Sequence, residues 1–309
     1  MTKQIFNPIQ ADLRDLLQIK SQVAQLFLKE TNRKAYVGFG NTRSPFKTKG
    51  LDFQEVRVYQ PGDDIRQIDW RITAKYGKPF TKLYTDEKER QVFFICDMRS
   101  TMKFASQGAF KSVLVARIAA FLAYMAENKK DKIGFTVITD SFIETAQAFS
   151  AKEALTGFLK TLEKASYSAT TSVSAVSLLQ AFEQSSPLIK SGALIFILSD
   201  FSDWSTQTES FIQRWSVKNT CSFIHIYDAL EQQLPEGFFP VSDGVNFTMI
   251  DTTNHVFKEN FPQLFKKREE TLQSIAKNYK CGYLPIRTDE DALLKTANYC
   301  LEEYYAIRN

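Results

Sequence analysis

Apolar and polar positions follow different rhythms in different parts of this chain. Between residues 10 and 30, Leu13, Leu16, Leu17, Val23, Ala24 and Phe27 recur at helical spacing, which predicts an amphipathic helix. Its polar face mixes both charge signs. A membrane-surface helix would favour Lys and Arg there, so the stripe is expected to dock on the rest of the chain. Residues 32–90 lose the helical rhythm. Glycine, proline and short β-like runs dominate: KAYVGFG, QEVRVYQPGDD and PFTKLYTDE. Gln60-Pro61-Gly62-Asp63 is a turn signal, with Pro set for the corner and Gly free to take positive φ. This part is expected to be a small β-rich segment.

From Gln91 onward, short apolar runs alternate with longer amphipathic ones. Strands are expected over Gln91–Cys96, Lys132–Thr139, Ala193–Ser199, Cys221–Ile226 and Tyr283–Ile286. Helices are expected over Phe110–Ala126, Lys152–Leu162, Val173–Phe182, Thr206–Val217, Phe265–Lys277 and Asp289–Glu302. The strands are continuous apolar runs rich in β-branched and aromatic residues, as in sheets covered on both faces. The alternation predicts an α/β layer fold with a mainly parallel sheet. Three parts follow: an N-terminal helix in 1–31, a β-rich segment in 32–90 and an α/β domain in 91–309.

Length and composition fit this picture. The 309 residues suit one large domain or two small ones, and 44% hydrophobic residues suffice for a sizeable core. The net charge of +4 is spread along the chain. The most basic stretch, Arg33 to Lys49, carries Tyr36, Phe39 and Phe46 and leaves a nucleic-acid reading open, although a solvated loop or edge strand explains it more simply. None of the four cysteines forms a CxxC pair, and Cys96 and Cys221 lie in apolar runs that predict buried thiols. His225, inside SFIHIY, reads as a strand residue rather than a ligand. The N-terminus lacks signal-peptide order, and no apolar run approaches the roughly 18–20 residues of a membrane span. The expected location is the cytoplasm, with no membrane role.

In an open α/β sheet, ligands bind outside the carboxyl ends of the strands. Asp97 follows the first predicted strand, and Asp200 follows ALIFILS. The hydroxyl-rich run Ser166–Ser172 precedes a predicted helix. Two carboxylates with hydroxyls would suit a hard divalent cation such as magnesium. No glycine-rich phosphate loop accompanies them. A simpler reading of the first cluster is helix capping by Ser100 or Thr101.

Asp97-x-Arg99-x-Thr101, then Thr171, then Asp200, resembles the metal-ion-dependent adhesion site of von Willebrand factor A domains, whose pattern is Asp-x-Ser-x-Ser/Thr, a distant Thr and a distant Asp. The resemblance implies a Rossmann-like sheet flanked by helices, with Asp97, Thr101, Thr171 and Asp200 as metal ligands. A longer likeness covers LDFQEVRVYQPGDDIRQIDWRITAK, residues 51–75, and later KSVLVARIAA, ILSDF and IYDALEQQLPEGFFPVSDG. It resembles the bacterial family called domain of unknown function 58, von Willebrand A-like proteins associated with MoxR-type AAA+ ATPases. That implies a non-enzymatic interaction module working with such an ATPase, or its client, in assembly or chaperone-like tasks.

The chain departs from the adhesion pattern at Arg99, which stands at a Ser position. A guanidinium is a permanent cation with no acceptor, so it repels a metal where a hydroxyl would bind one. Turned inward, Arg99 could bridge Asp97 and Asp200. Turned outward, it could grip a partner carboxylate, with Asp97 and Asp200 completing a partner-binding edge. A metal-dependent phosphoester hydrolase is the alternative. In the signature, Asp63, Asp64 and Asp69 alternate with Arg57, Arg66 and Arg71, which predicts salt bridging, with Trp70 pinning the segment onto the α/β domain. A second acidic site or partner surface is the other reading.

Overall fold

The computed structural model describes residues 6–37, 51–86, 89–169, 176–242 and 247–300. The chain divides into two compact units, Met1–Thr31 with Arg90–Asn309, and Asn32–Glu89. In chain order the elements are helix α1 (Leu13–Val37), strand β1 (Leu51–Val58), helix α2 (Trp70–Tyr76), strands β2 (Phe80–Asp86) and β3 (Gln91–Asp97), and helix α3 (Lys111–Asn128). Then come β4 (Lys132–Ile138), β5 (Ile143–Ser150), α4 (Ala151–Ser166), α5 (Leu178–Ser185), β6 (Leu194–Ser199) and α6 (Thr206–Ser216). The remainder is β7 (Thr220–Tyr227), α7 (Ala229–Gln232), β8 (Phe238–Ser242), β9 (Phe247–Asp251), α8 (His255–Asn278), β10 (Gly282–Arg287) and α9 (Ala292–Tyr299).

In the smaller unit β1 and β2 pair antiparallel, from Leu51 opposite Asp86 to Val58 opposite Phe80, with a bulge between Phe53 and Glu55. The predicted turn forms: the Asp63 N–H donates to the Gln60 carbonyl at 3.0 Å, and Gly62 takes φ +108°. Beyond it the backbone makes a 3-10 turn over Ile65–Gln67 and then α2, which was not anticipated. Asp69 caps α2 at its start, and Gly77 in the left-handed region ends it. The run KAYVGFG is not β-like where it is described, because Lys34–Val37 closes α1.

The larger unit is an α/β layer fold around a six-stranded sheet of order β10-β7-β6-β3-β4-β5. All neighbours are parallel except β4 with β5. β5 was missed in the sequence: IETAQAFS is a half-exposed edge strand without the continuous apolar run of the others. The hairpin β8–β9 was missed as well. α5 begins at Leu178 rather than Val173, because Ser177 and Gln180 form a capping box there. α8 starts earlier than its apolar spacing suggested, at His255.

Successive residues of β3 face opposite sides of the sheet. Val92, Phe94 and Cys96 enter one core with α3, α4 and α9, while Phe93 and Ile95 enter the other with α5, α6 and α8. Helix α1 joins the first core through Leu16, Ile19 and Val23, all 0% exposed. The docking face is narrower than predicted, since Leu17 and Ala24 are exposed. Cys96, Cys221 and Cys300 are buried free thiols.

Counted from β3, the strand order is third, second, first, fourth, fifth, sixth. The order therefore reverses between β3 and β6. That is the topological switch point, where a crevice opens beyond the strand ends.

Candidate functional site

β3 and β6 run side by side with Cys96 opposite Leu198, so Asp97 and Ser199 emerge together at the switch point. The Ser199 hydroxyl donates to Asp97 Oδ2 at 2.7 Å. Asp97 is fully buried and needs a counter-charge. Arg99 supplies it by turning inward. Its Nε donates to Asp97 Oδ1 at 2.9 Å, its Nη2 to Oδ2 at 2.7 Å, and its backbone N–H to Oδ1 at 3.2 Å. The far side of the same guanidinium holds Asp203, with Nη1 to Oδ2 at 2.7 Å and Nη2 to Oδ1 at 2.9 Å. Nη1 also reaches the Val176 carbonyl at 3.3 Å. Arg99 thus bridges two carboxylates, but the second is Asp203 and not Asp200, as the sequence had suggested.

Asp200 has its own cation. Lys111, the first residue of α3, donates to Asp200 Oδ2 at 3.0 Å and to Glu231 Oε1 at 2.6 Å. The Ser202 N–H donates to Asp200 Oδ1 at 3.0 Å. Arg268 extends the chain of charges, with Nη1 3.3 Å from Glu231 Oε2 and 3.4 Å from the Asp200 carbonyl. Asp203, Lys111, Ser199 and Glu231 were not singled out in the sequence. Asp203 had a weak signal, lying three residues after Asp200 in DFSDW. Lys111 opens a helix dominated by apolar residues, where its polarity was hidden by its neighbours.

Electrostatics reinforce the pairing of Asp200 and Asp203 with their cations. Burial alone would raise the Asp200 carboxyl, but Lys111 outweighs it and holds the group well below the usual carboxylate range. Burial likewise works against the Lys111 charge, and Asp200 with Glu231 raises its pKa in spite of it. Arg99 is raised in the same way by Asp97 and Asp203, and Asp203 is lowered by Arg99 against its own desolvation. Asp97 moves up, because total burial outweighs the fork of Arg99 and the hydroxyl of Ser199.

Thr101 is exposed on the 3-10 turn Ser100–Met102. Thr171 lies outside the described residues. The predicted cap by Ser100 or Thr101 is replaced by Asp140, which accepts from the Ser100 N–H and hydroxyl, both at 3.0 Å. The residues present do not fit a divalent cation. Both oxygens of Asp97 and both of Asp200 are already taken by donors of the chain. An incoming ion would also meet two fixed cations, each costing about 4 kcal/mol per pair of unit charges at ~4 Å and an effective dielectric of ~20. Among the described residues, no group of three or more His, Cys, Asp or Glu side chains is placed to hold a metal. Nor is Arg99 presented to a partner carboxylate, since it is 5% exposed and its fork is filled.

The loop after β6 is strained to reach this arrangement. Phe201 takes φ +53°, rare for a bulky residue. Its N–H donates to Ser199 Oγ at 2.9 Å, and its ring packs against Trp204, Phe223 and His225. His225 is a strand residue, as expected. It is fully buried, pairs Nδ1 with the Tyr283 hydroxyl at 2.9 Å, and burial pushes its pKa down to about 3. It is neutral at ordinary pH.

In the smaller unit, one of the predicted Asp–Arg salt bridges is found among the described residues. Arg57 holds Asp63 at 2.6 Å, and Asp63 also accepts from the Gln60 N–H at 2.9 Å. Asp64 accepts from the Arg66 backbone N–H at 3.0 Å. Asp69 accepts from the N–H groups of Arg71 and Ile72 at 3.0 and 3.1 Å. Arg66 and Arg71 contribute backbone, not guanidinium. Trp70, expected as a buried pin, is 67% exposed. The basic stretch from Arg33 reaches Val37 inside α1, and its remainder through Lys49 lies outside the described residues.

The family described as "Protein of unknown function DUF58" matches residues 55–271. Uncharacterized protein Rv1480 of Mycobacterium tuberculosis (strain ATCC 25618 / H37Rv) is 24% identical over 113 residues, 37% of this chain and 36% of the relative. The match therefore spans little more than a third of that relative's length. Among solved structures, an aerotolerance-related membrane protein from Bacteroides fragilis NCTC 9343, carrying multiple mutations to serines, shares 14% identity at a TM-score of 0.45, over 69% of this chain and 98% of the other. A von Willebrand factor type A structure from Catenulispora acidiphila shares 13% identity at a TM-score of 0.39, over 71% and 44%. The expected cytoplasmic location is withdrawn, because the first of these neighbours is described as a membrane protein. What stands is narrower: among the described residues no helix is long and apolar enough to cross a membrane.

Proposed function

The chain belongs to the DUF58 family, and from that premise we propose that it is a non-catalytic protein-interaction module that works without a divalent cation. One observation carries the reading: Asp97 and Asp200, the two acids at the switch point, are each neutralised by a buried cation of the chain itself, Arg99 and Lys111. A hydrolase would need one of these carboxylates free to hold a metal or to activate water. Here they tie loops together instead. Asp203 joins the loop after β6 to Arg99 and, through the Leu178 N–H at 2.9 Å, to the start of α5. The edge is a fixed platform. The partner we propose is a MoxR-type AAA+ ATPase or its client, on the likeness of residues 51–75 to that ATPase-associated family.

Two measurements test the reading. Magnesium, manganese and calcium are expected to leave the melting temperature equal to that in a chelator. An ion at about 100 times its dissociation constant would add roughly 2.7 kcal/mol, so a clear upward shift overturns the cation-free platform. The full chain is expected to co-elute on gel filtration with a nucleotide-loaded MoxR-type ATPase from the same organism. Failure to co-elute with any such ATPase overturns the proposed partner.

A further inference from the structure

The signature in the smaller unit contains one tripeptide pattern, acid–apolar–arginine, twice, in Asp64-Ile65-Arg66 and Asp69-Trp70-Arg71. Each is built alike. The Asp side chain accepts from the backbone N–H of the Arg two residues on, at 3.0 Å in both cases. Each opens a helical turn, the first a 3-10 turn and the second α2. The third acid, Asp63, closes the preceding turn and holds Arg57. All three acids therefore serve the backbone frame of their own segment.

What the frame leaves in solvent is of the opposite kind. Ile65 is 63% exposed and Trp70 67%. Tyr76 at the end of α2 and Val58 at the end of β1 are exposed as well. The side chains of Arg66, Arg71, Lys75 and Lys78 are all exposed, and no ion pair is found for them among the described residues. Single exposed apolar residues are normal on a protein surface. Here an apolar side chain and a guanidinium are presented together twice, five residues apart, by two turns of one design. Trp, Tyr and Arg are the residue types that dominate binding energy at protein interfaces.

We propose that this twofold apolar-plus-arginine surface is a docking site for an acidic protein segment, one in which Asp or Glu residues are interspersed with aromatic or aliphatic side chains. Charge complementarity selects the occupant. Four cations without an ion pair among the described residues face solvent, while Asp63, Asp64 and Asp69 are engaged in turns and caps. The carboxylates of the partner meet Arg66 and Arg71, and its apolar side chains cover Ile65 and Trp70. A nucleic acid fits less well. Its phosphates would satisfy the arginines but leave Ile65 and Val58 uncovered.

The probe is a fluorescein-labelled random copolymer of Glu and Tyr, titrated with the full-length chain and read by anisotropy, with single-stranded DNA as the competing polyanion. The copolymer is expected to bind. Trp70→Ala, and the pair Arg66→Ala with Arg71→Ala, are each expected to weaken binding about tenfold or more. The pair Lys266→Ala with Lys267→Ala removes the same charge from exposed positions of α8 and is expected to leave binding unchanged. All these side chains are exposed, so the variants are expected to fold, with melting temperature as the check. Absence of binding at low salt, an equal loss in the α8 pair, or tighter binding of the DNA overturns the proposal. A chain that co-elutes with the ATPase but ignores the copolymer keeps the proposed function and loses this surface.

Discussion

Asp97-Met98-Arg99 at the sheet edge and Asp64-Ile65-Arg66 or Asp69-Trp70-Arg71 in the smaller unit are the same kind of tripeptide, an acid, an apolar residue and an arginine. All make the same local bond, from the Arg N–H to the Asp side chain, at 3.2, 3.0 and 3.0 Å. Their ends differ completely. Met98 is fully buried and the Arg99 guanidinium folds back between two carboxylates, while Ile65, Trp70 and both other guanidiniums remain in solvent. The cause lies upstream. Asp97 ends a strand buried along its whole length, where an unpaired carboxylate could not be solvated. Asp64 and Asp69 follow a turn at the surface, where water competes for the arginines. Identical local chemistry becomes an internal lock in one place and a presented surface in the other.

The sharpest way to break this contrast is to remove the buried guanidinium. Arg99→Ala leaves Asp97 buried without its counter-charge and frees Asp203, and is expected to cost about 3–5 kcal/mol in chemical denaturation. A loss below ~1 kcal/mol would mean that water reaches Asp97 and that the edge is no lock.

The dryness of that edge has an independent reporter in His225. Unfolded, it binds a proton below about pH 6.5. Folded, it stays neutral until about pH 3. Between those values the unfolded chain binds more protons, so this group makes stability rise with pH and fall as pH drops through the window. From pH 7 to pH 5 its share is about 2 kcal/mol. His225→Phe keeps an aromatic ring among Phe201, Tyr227 and Phe265 and removes the titration. Its stability is expected to change about 2 kcal/mol less between those pH values than that of the unsubstituted chain. Equal pH slopes would place water at His225.

The contrast also separates what was legible in the sequence from what was not. β3 and β6 announced themselves as apolar runs, and the acids after them marked the carboxyl edge. Likeness to the adhesion motif drew attention to Arg99 because that residue broke the pattern. Its second carboxylate was only weakly marked, since Asp203 lies 104 residues away, and Lys111 lies 89 residues from Asp200. Periodicity is a local signal and carries no information about which distant charges a fold brings together. In the smaller unit the failure was of another kind. Alternating acids and arginines suggested side-chain pairs, but backbone N–H groups at the two turn starts competed for the acids and won at Asp64 and Asp69. Helix α2 was hidden because WRITAKY has β-branched and aromatic residues within a β-rich context, and its signal was the capping Asp69.

That cap yields a smaller effect, confined to the second region. Asp69→Ala removes the acceptor for the Arg71 and Ile72 N–H groups and is expected to cost about 1 kcal/mol, with Asp69→Asn costing far less. Amide exchange is the appropriate measurement, and protection is expected to fall first at the start of α2. Unchanged exchange in Asp69→Ala would mean that the turn is held by contacts other than its cap.

The smallest expected effect is the most discriminating. Arg66→Ala and Arg71→Ala delete guanidiniums that follow an Asp by two residues, as Arg99 does, yet each is expected to change stability by no more than about 0.5 kcal/mol. The Asp64 and Asp69 caps survive both substitutions, because the bonded atoms are backbone N–H groups. Set beside Arg99→Ala, this gives a difference of several kcal/mol between chemically equivalent deletions, fixed by burial alone. If Arg71→Ala cost as much as 2 kcal/mol, its guanidinium would have a partner within the folded chain. The smaller unit would then be a second lock, with nothing left over for a partner to meet.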